Sequence, residues 1–193
     1  MTLQEEKDHL RTEARKKARL LSPEYRAAAN RAILDRVCSL PAYERAEVLF
    51  VYVSVGNEPD TREIILRALR DGKRVCVPRC RRKPHMDAVE IHGLDALVPG
   101  ALGIPEPEKT APALAPESIG LALVPCVAAS PDGGRLGHGA GYYDAFLRGL
   151  PCEKVCLCFE KLLFGQIPMG AQDQWMDRVI SETGVFSTKC VTR

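Results

Sequence analysis

The 193-residue chain predicts an α/β fold: a three-layer, open, mostly parallel sheet with helices on both faces. Three observations predict it. Val48-Leu-Phe-Val-Tyr-Val53 and Ile119 to Val124 are apolar runs of strand length, the pattern of parallel strands buried on both faces. Segments with helical spacing of apolar residues alternate with those runs. The length suffices for one sizeable core but not for two, so residues 1–193 are read as a single domain.

The elements follow in order. Leu3, Leu10, Ala14, Ala18 and Leu21 recur at helical spacing between charges. Ser22-Pro23-Glu24 reads as an N-cap, a first-turn proline and a first-turn acid, opening a second helix with Ile33, Leu34, Val37 and Leu40 inward. After the strand from Val48, Asp60-Thr-Arg-Glu63 resembles a capping box and starts a helix that stops at Asp71-Gly72. Val75 to Val77 is a short strand closed by Pro78, and Met86 to Ile91 is a weaker one. Gly100 to Ser118, with four prolines at 105, 107, 112 and 116, is expected to be a surface loop. Ile119 to Val124 resumes the sheet. A glycine-rich run and a helix from about Tyr142 to Arg148 follow, then strands at Val155 to Phe159 and Val179-Ile180.

Composition excludes several classes of function. A net charge of +2 lacks the basic excess of a nucleic-acid protein, and the clusters Lys7 to Arg19 and Arg79 to Lys83 are local. No apolar run reaches the roughly 20 residues of a bilayer span. The charged N-terminal stretch is unlike a secretory signal, so a cytoplasmic protein without membrane partners is expected; it is separately taken to be a monomer. Its eight cysteines include no CxxC pair, and Cys152, Cys156 and Cys158 have no histidine at zinc-ligand spacing.

Ligands of parallel sheets bind beyond the carboxyl ends of the strands. Three loops leave such ends: Ser54 to Asp60, Arg79 to His85, and Cys126 to Gly141. The last holds Asp132-Gly-Gly-Arg-Leu-Gly-His-Gly-Ala-Gly-Tyr-Tyr-Asp144. Its glycines permit positive φ and close backbone approach, so successive N–H groups can converge on an anion. Arg135 can offer a fork to phosphate oxygens, and Asp144 can hold magnesium against them. No Gly-Lys-Ser/Thr follows, so this is not a Walker A loop, and the glycine spacing does not fit a dinucleotide fingerprint. Taken alone, the run reads equally well as an ordinary glycine-rich turn.

The whole string from Arg135 to Asp144 resembles the signature of the 5-formyltetrahydrofolate cyclo-ligases, or methenyltetrahydrofolate synthetases. Further resemblances run in family order: Lys7-Asp-His-Leu-Arg11, Tyr52-Val53 with Asn57-Glu-Pro-Asp-Thr61, Val77-Pro-Arg79, His85-Met86, Gly103-Ile-Pro-Glu-Pro107, and Asp173 with Asp177. The chain departs from the family pattern at Cys80, His138, Ala140, Leu162 and Gln172.

The resemblance implies a reaction and its residues. ATP phosphorylates the formyl oxygen of 5-formyltetrahydrofolate, N10 closes on the activated carbon, and phosphate loss leaves 5,10-methenyltetrahydrofolate. Arg135, Tyr143 and Asp144 are the implied catalytic residues. Lys7, Arg11 and the run Arg135, Leu136, Gly137, His138, Gly139, Ala140, Gly141, Tyr142 and Tyr143 would bind ATP. Val53, Glu58, Met86 and Tyr142 would bind the folate, with Glu58 accepting from the N–H edge of the pterin. Asp144 and Asp173 would hold Mg²⁺. His138 has no acid near it in sequence to orient it and is read as a loop residue rather than a base. The alternatives are a non-catalytic folate or nucleotide binder, and a CoA transferase or sugar-phosphate isomerase on a similar sheet.

Overall fold

A computed structural model describes residues 1–100 and 103–188. Helices α1 (Leu3–Arg19), α2 (Pro23–Cys38) and α3 (Pro41–Arg45) precede β1 (Val48–Val51). Then come α4 (Arg62–Arg70), β2 (Arg74–Cys80), β3 (Met86–Ile91), β4 (Leu97–Pro99), β5 (Pro105–Pro107), β6 (Ala113–Leu114) and β7 (Leu121–Val124). A hairpin of β8 (Ala128–Ala129) and β9 (Arg135–Leu136) leads to α5 (Tyr142–Leu147), β10 (Glu153–Leu157), β11 (Arg178–Ile180) and β12 (Val185–Ser187).

Eight strands form one sheet in the order β12-β11-β10-β7-β1-β2-β3-β6. Its centre is parallel, from β11 through β10, β7 and β1 to β2. Antiparallel β12, β3 and β6 extend the two sides. The expected α/β class is therefore present. The chain leaves β1 towards β2 through α4, but leaves β7 in the opposite direction, towards β10, through α5. Both are crossovers between parallel strands, and right-handedness of such units puts α4 and α5 on opposite faces. A reversal of winding opens a crevice beyond the ends of the two strands where it occurs. Here those strands are β1 and β7.

Burial explains why these strands sit at the centre. Leu49, Phe50, Val51 and all of β7 are fully buried. On one face Phe50 packs on α5, with its ring centroid 4.7 Å from Phe146 and 6.5 Å from Tyr143. Each such side chain contributes about 1.5–3 kcal/mol by leaving water. Ser22 caps α2 as its sequence predicts, accepting from Tyr25 N at 3.2 Å above Pro23 in the first turn.

Three local expectations are corrected. The strand from Val75 does not close at Pro78 but runs to Cys80, pairing with β3 throughout. Its other neighbour, β1, is in register only as far as Cys76, so Pro78 withholds an N–H from a side with no strand partner. The capping box at Asp60 does not form: its carboxylate is taken by Ser54 Oγ and Arg62, and the N-cap is Thr61, whose hydroxyl donates to Tyr52 O at 2.6 Å and accepts from Ser54 N at 3.1 Å. The proline-rich stretch holds β5, β6 and a 3-10 turn at Pro116–Ser118 rather than a plain loop. Arg79 organises it: the buried guanidinium donates to the carbonyls of Glu108, Lys109 and Ala111 at 2.8, 3.1 and 2.7 Å, and to Asp87 at 2.8 Å.

Candidate active site

The crevice between β1 and β7 holds a cavity of about 440 Å³. Every site residue expected from sequence lines it, from Lys7 and Arg11 on α1 to Asp173 before β11. They come from separate stretches of chain.

The loop after β1 supplies Val53 and Glu58. Glu58 closes a tight turn on itself: its N–H donates to Val55 O at 3.3 Å and its Oε2 accepts from Val55 N at 2.9 Å. Tyr52 underlies that turn, its hydroxyl donating to Pro59 O at 2.8 Å. Burial, followed by the nearby Glu58 charge, pushes the Tyr52 phenol well above its ordinary range.

The glycine-rich run is not one continuous loop. Residues 132–134 turn the β8–β9 hairpin, in which Ser130 N donates to Gly134 O at 2.9 Å. That hairpin delivers Arg135 to the cavity floor. Beyond it Gly139 takes φ +98°, a left-handed conformation costly for other residues. Gly137 has no positive φ, but a Cβ there would meet Arg135 Nη1 at 2.9 Å. Arg11 braces this segment, with Nε donating to Gly137 O at 2.9 Å and Nη1 held by Asp8 at 2.6 Å.

Two ion pairs flank the loop. Arg135, with only 2% of its side chain exposed, donates through Nη2 to Asp144 Oδ1 at 2.8 Å. Its Nη1 reaches Pro125 O at 3.3 Å, and its buried Nε has no partner among the described residues. The guanidinium lies over the Tyr143 ring, 5.7 Å from the centroid. Burial also raises the Tyr143 phenol well above its usual value. Lys7 pairs with Asp173 Oδ2, which also accepts from Gly170 N at 2.6 Å. The segment after Asp173 is sewn to the loop, Gln174 N donating to Asp144 Oδ1 at 3.1 Å and Met176 N to Gly133 O at 3.0 Å.

In both carboxylates one oxygen carries these bonds, while Asp144 Oδ2 and Asp173 Oδ1 make none among the described residues. Two half-free carboxylates in one cavity fit a hard divalent cation that takes its remaining ligands from phosphate oxygens and water. The described residues hold no cluster of three His, Cys, Asp or Glu side chains able to bind a metal unaided.

Two features were not foreseen. His138 does meet an acid: its Nε2 lies 3.1 Å from Glu58 Oε1. Glu106, 7% exposed, lines the wall beside Cys80, Met86 and Ile104. It accepts from Cys80 N at 3.4 Å, and burial together with this carboxylate pushes the Cys80 thiol up to about 12. A glutamate between two prolines in an expected surface loop carried no signal of burial; its strand pairing with Val98 and contact with β2 bring it inward.

A profile of the 5-formyltetrahydrofolate cyclo-ligase family matches residues 3–182. A probable 5-formyltetrahydrofolate cyclo-ligase of Caenorhabditis elegans is 32% identical over 190 residues, spanning 87% of this chain and 89% of its own. The 5-formyltetrahydrofolate cyclo-ligase of Mus musculus is 28% identical over 195 residues, spanning 94% and 96%. The NMR structure of Aquifex aeolicus 5,10-methenyltetrahydrofolate synthetase superposes with a TM-score of 0.83 at 26% identity, covering 97% of this chain and 95% of that one.

Proposed function

Because this chain belongs to the 5-formyltetrahydrofolate cyclo-ligase family, we propose that the cavity holds ATP and 5-formyltetrahydrofolate side by side and turns the folate into 5,10-methenyltetrahydrofolate. Family membership sets aside a CoA transferase or a sugar-phosphate isomerase on a similar sheet. The observation that carries the proposal is one of placement: the glycine loop and its two ion pairs share a cavity with Val53, Glu58 and Met86.

The formyl oxygen of an amide is a poor leaving group. Transfer of the terminal phosphoryl group of ATP to that oxygen makes it a good one. N10 then forms a bond to the formyl carbon and gives up its proton, and the carbon–oxygen bond breaks to release phosphate. The protein's part is positioning and charge neutralisation. Backbone from Leu136 to Tyr142 surrounds the phosphates, with Lys7 and Arg11 supplying positive charge from one helix face. Arg135 acts from below, holding Asp144 and packing on Tyr143. Mg²⁺ held by Asp144 and Asp173 would offset phosphate charge. Val53, Met86 and Tyr142 pack on the flat ring, and Glu58 accepts from an N–H on one of its edges.

One domain over residues 1–193 is the unit we assign to this reaction, acting as a monomer. We place it in the cytoplasm, a reducing compartment, on its seven free cysteines among the described residues. No described helix is long and apolar enough to cross a membrane. The test is purified protein with 5-formyltetrahydrofolate and Mg-ATP, following methenyltetrahydrofolate absorbance beside an Asp144→Ala variant. Product that needs ATP and metal and falls roughly a hundredfold or more in the variant is expected. ATP binding without product would instead mark a non-catalytic binder.

A further inference from the structure

Glu106 has no role in the chemistry above, and its surroundings do not account for its charge. It is 7% exposed, on β5, against a wall made by Pro78, Met86 and Ile104. An ionised carboxylate taken from water into apolar surroundings is costly unless paired and hydrogen-bonded. Among the described residues its side chain accepts one hydrogen bond, from the Cys80 backbone N–H at a long 3.4 Å, with the Cys80 thiol nearby. Neither carries a positive charge. Nor is the side chain packed away from the cavity, which it lines.

Glu58, the other carboxylate on the folate side, differs. Its Oε2 accepts from Val55 N at 2.9 Å and its Oε1 faces His138 Nε2 at 3.1 Å. The cavity thus presents one acid already bonded by its own loop and one with acceptor capacity to spare. A reduced pterin carries donors on more than one edge. Its 2-amino group and N3–H are adjacent and parallel, a pair that one carboxylate accepts together. Flat ring atoms against Pro78, Met86 and Ile104 would bring that pair to the wall where Glu106 stands.

We propose that Glu106 is a specificity-determining residue for the folate, its carboxylate accepting hydrogen bonds from the 2-amino and N3–H groups of the pterin while Glu58 serves another donor. The assignment rests on folate occupying the cavity as proposed above. Such a carboxylate lets a site rich in apolar surface reject ring systems that lack those donors. A buried acceptor left unpaired penalises the wrong ligand far more than a lost apolar contact does.

The test measures binding and turnover of 5-formyltetrahydrofolate and of its 2-desamino analogue by wild type and by Glu106→Gln, with thermal melting alongside. Wild type is expected to favour the parent folate by roughly ten- to a hundredfold, the range of hydrogen bonds to a charged group. In Glu106→Gln that preference should shrink to within a few-fold, with folate KM raised and ATP KM unchanged. A residue that only holds β5 in place would lower the melting temperature and leave the preference between the two ligands intact; that result overturns the assignment. Equal folate affinity in wild type and variant overturns it too, while leaving the proposed function standing. A wild type that binds no folate removes both.

Discussion

His138 Nε2 lies 3.1 Å from Glu58 Oε1 although 80 positions separate the two residues. The contact joins the glycine-rich segment to the loop after β1, across the crevice where the sheet's winding reverses. His138 is 56% exposed at its side chain, whereas Glu58 is 10% exposed and held independently by Val55 N. A hydrogen bond of this kind is worth about 0.5–1.5 kcal/mol. His138→Ala is therefore expected to raise folate KM by only about two- to tenfold, and Glu58→Ala by more. Adding His138→Ala to Glu58→Ala should change little further, because the partner is already gone. Additive effects in this double-mutant cycle, read from KM, would show that His138 acts independently of Glu58.

The Arg135–Asp144 pair should respond asymmetrically to substitution. Arg135 has 2% of its side chain exposed and Asp144 has 23%, so an unpaired Asp144 regains water and an unpaired Arg135 does not. Asp144→Asn is expected to cost about 3–5 kcal/mol of stability, and Arg135→Met roughly half of that or less. Urea denaturation of the two variants gives the order directly. The reverse order would mean that Asp144, not Arg135, is the member stranded by loss of its partner.

Gly139 is a position in the glycine-rich segment with little tolerance for a side chain. Its φ is +98°, and Arg11 Cζ lies 3.4 Å from the point a Cβ would occupy, so a branched side chain brings both strain and a push on Arg11. Gly139→Val should meet about 1–3 kcal/mol of backbone strain. The expected readout is ATP KM up roughly tenfold or more, at about 1.4 kcal/mol per tenfold, with folate affinity preserved. Loss of folate affinity with ATP binding intact would contradict the division of the cavity.

Alkaline pH should weaken the fold through buried thiols. Cys76 is fully buried on β2, and that burial pushes its thiol from an ordinary 9.0 up to about 12. Between those values the unfolded thiol has lost its proton and the folded one has not. The contribution of Cys76 is thus fully present below about pH 9 and falls as pH rises towards about 12, with a slope approaching about 1.4 kcal/mol per pH unit for this one thiol. Urea melts at about pH 8, 9 and 10 should show the decline, and Cys76→Ala should make it shallower by up to about 1.4 kcal/mol per pH unit, leaving the share of other buried thiols such as Cys80. The same burial makes native Cys76 unreactive to thiol reagents at about pH 8.

Much of the site was legible in short stretches of sequence because its signals are local. Lys7 and Arg11 share a helix face by their spacing alone, and glycines at 137, 139 and 141 announce a backbone that must bend or be approached closely. Where partners are distant in sequence, the same reasoning stopped. Nothing near His138 points to Glu58, and nothing near Arg135 shows that its guanidinium turns inward to Asp144 and Pro125. Pro78 looked like a strand end because a proline withholds a hydrogen bond; only the register of β1 and β2 reveals that no strand needed it.

By itself the sequence determined the α/β class, the order of its main strands and helices, and the residues of the glycine-rich segment that lines the cavity. These depend on periodicity and on turn chemistry, which act over a few residues. The tertiary structure alone decided which side chains meet: Lys7 with Asp173, His138 with Glu58, and Glu106 with the apolar wall beside Cys80. Those contacts follow from the order in which strands pair and from crossovers that place α4 and α5 on opposite faces. Pairing order is a property of the whole sheet, and no local stretch of chain encodes it.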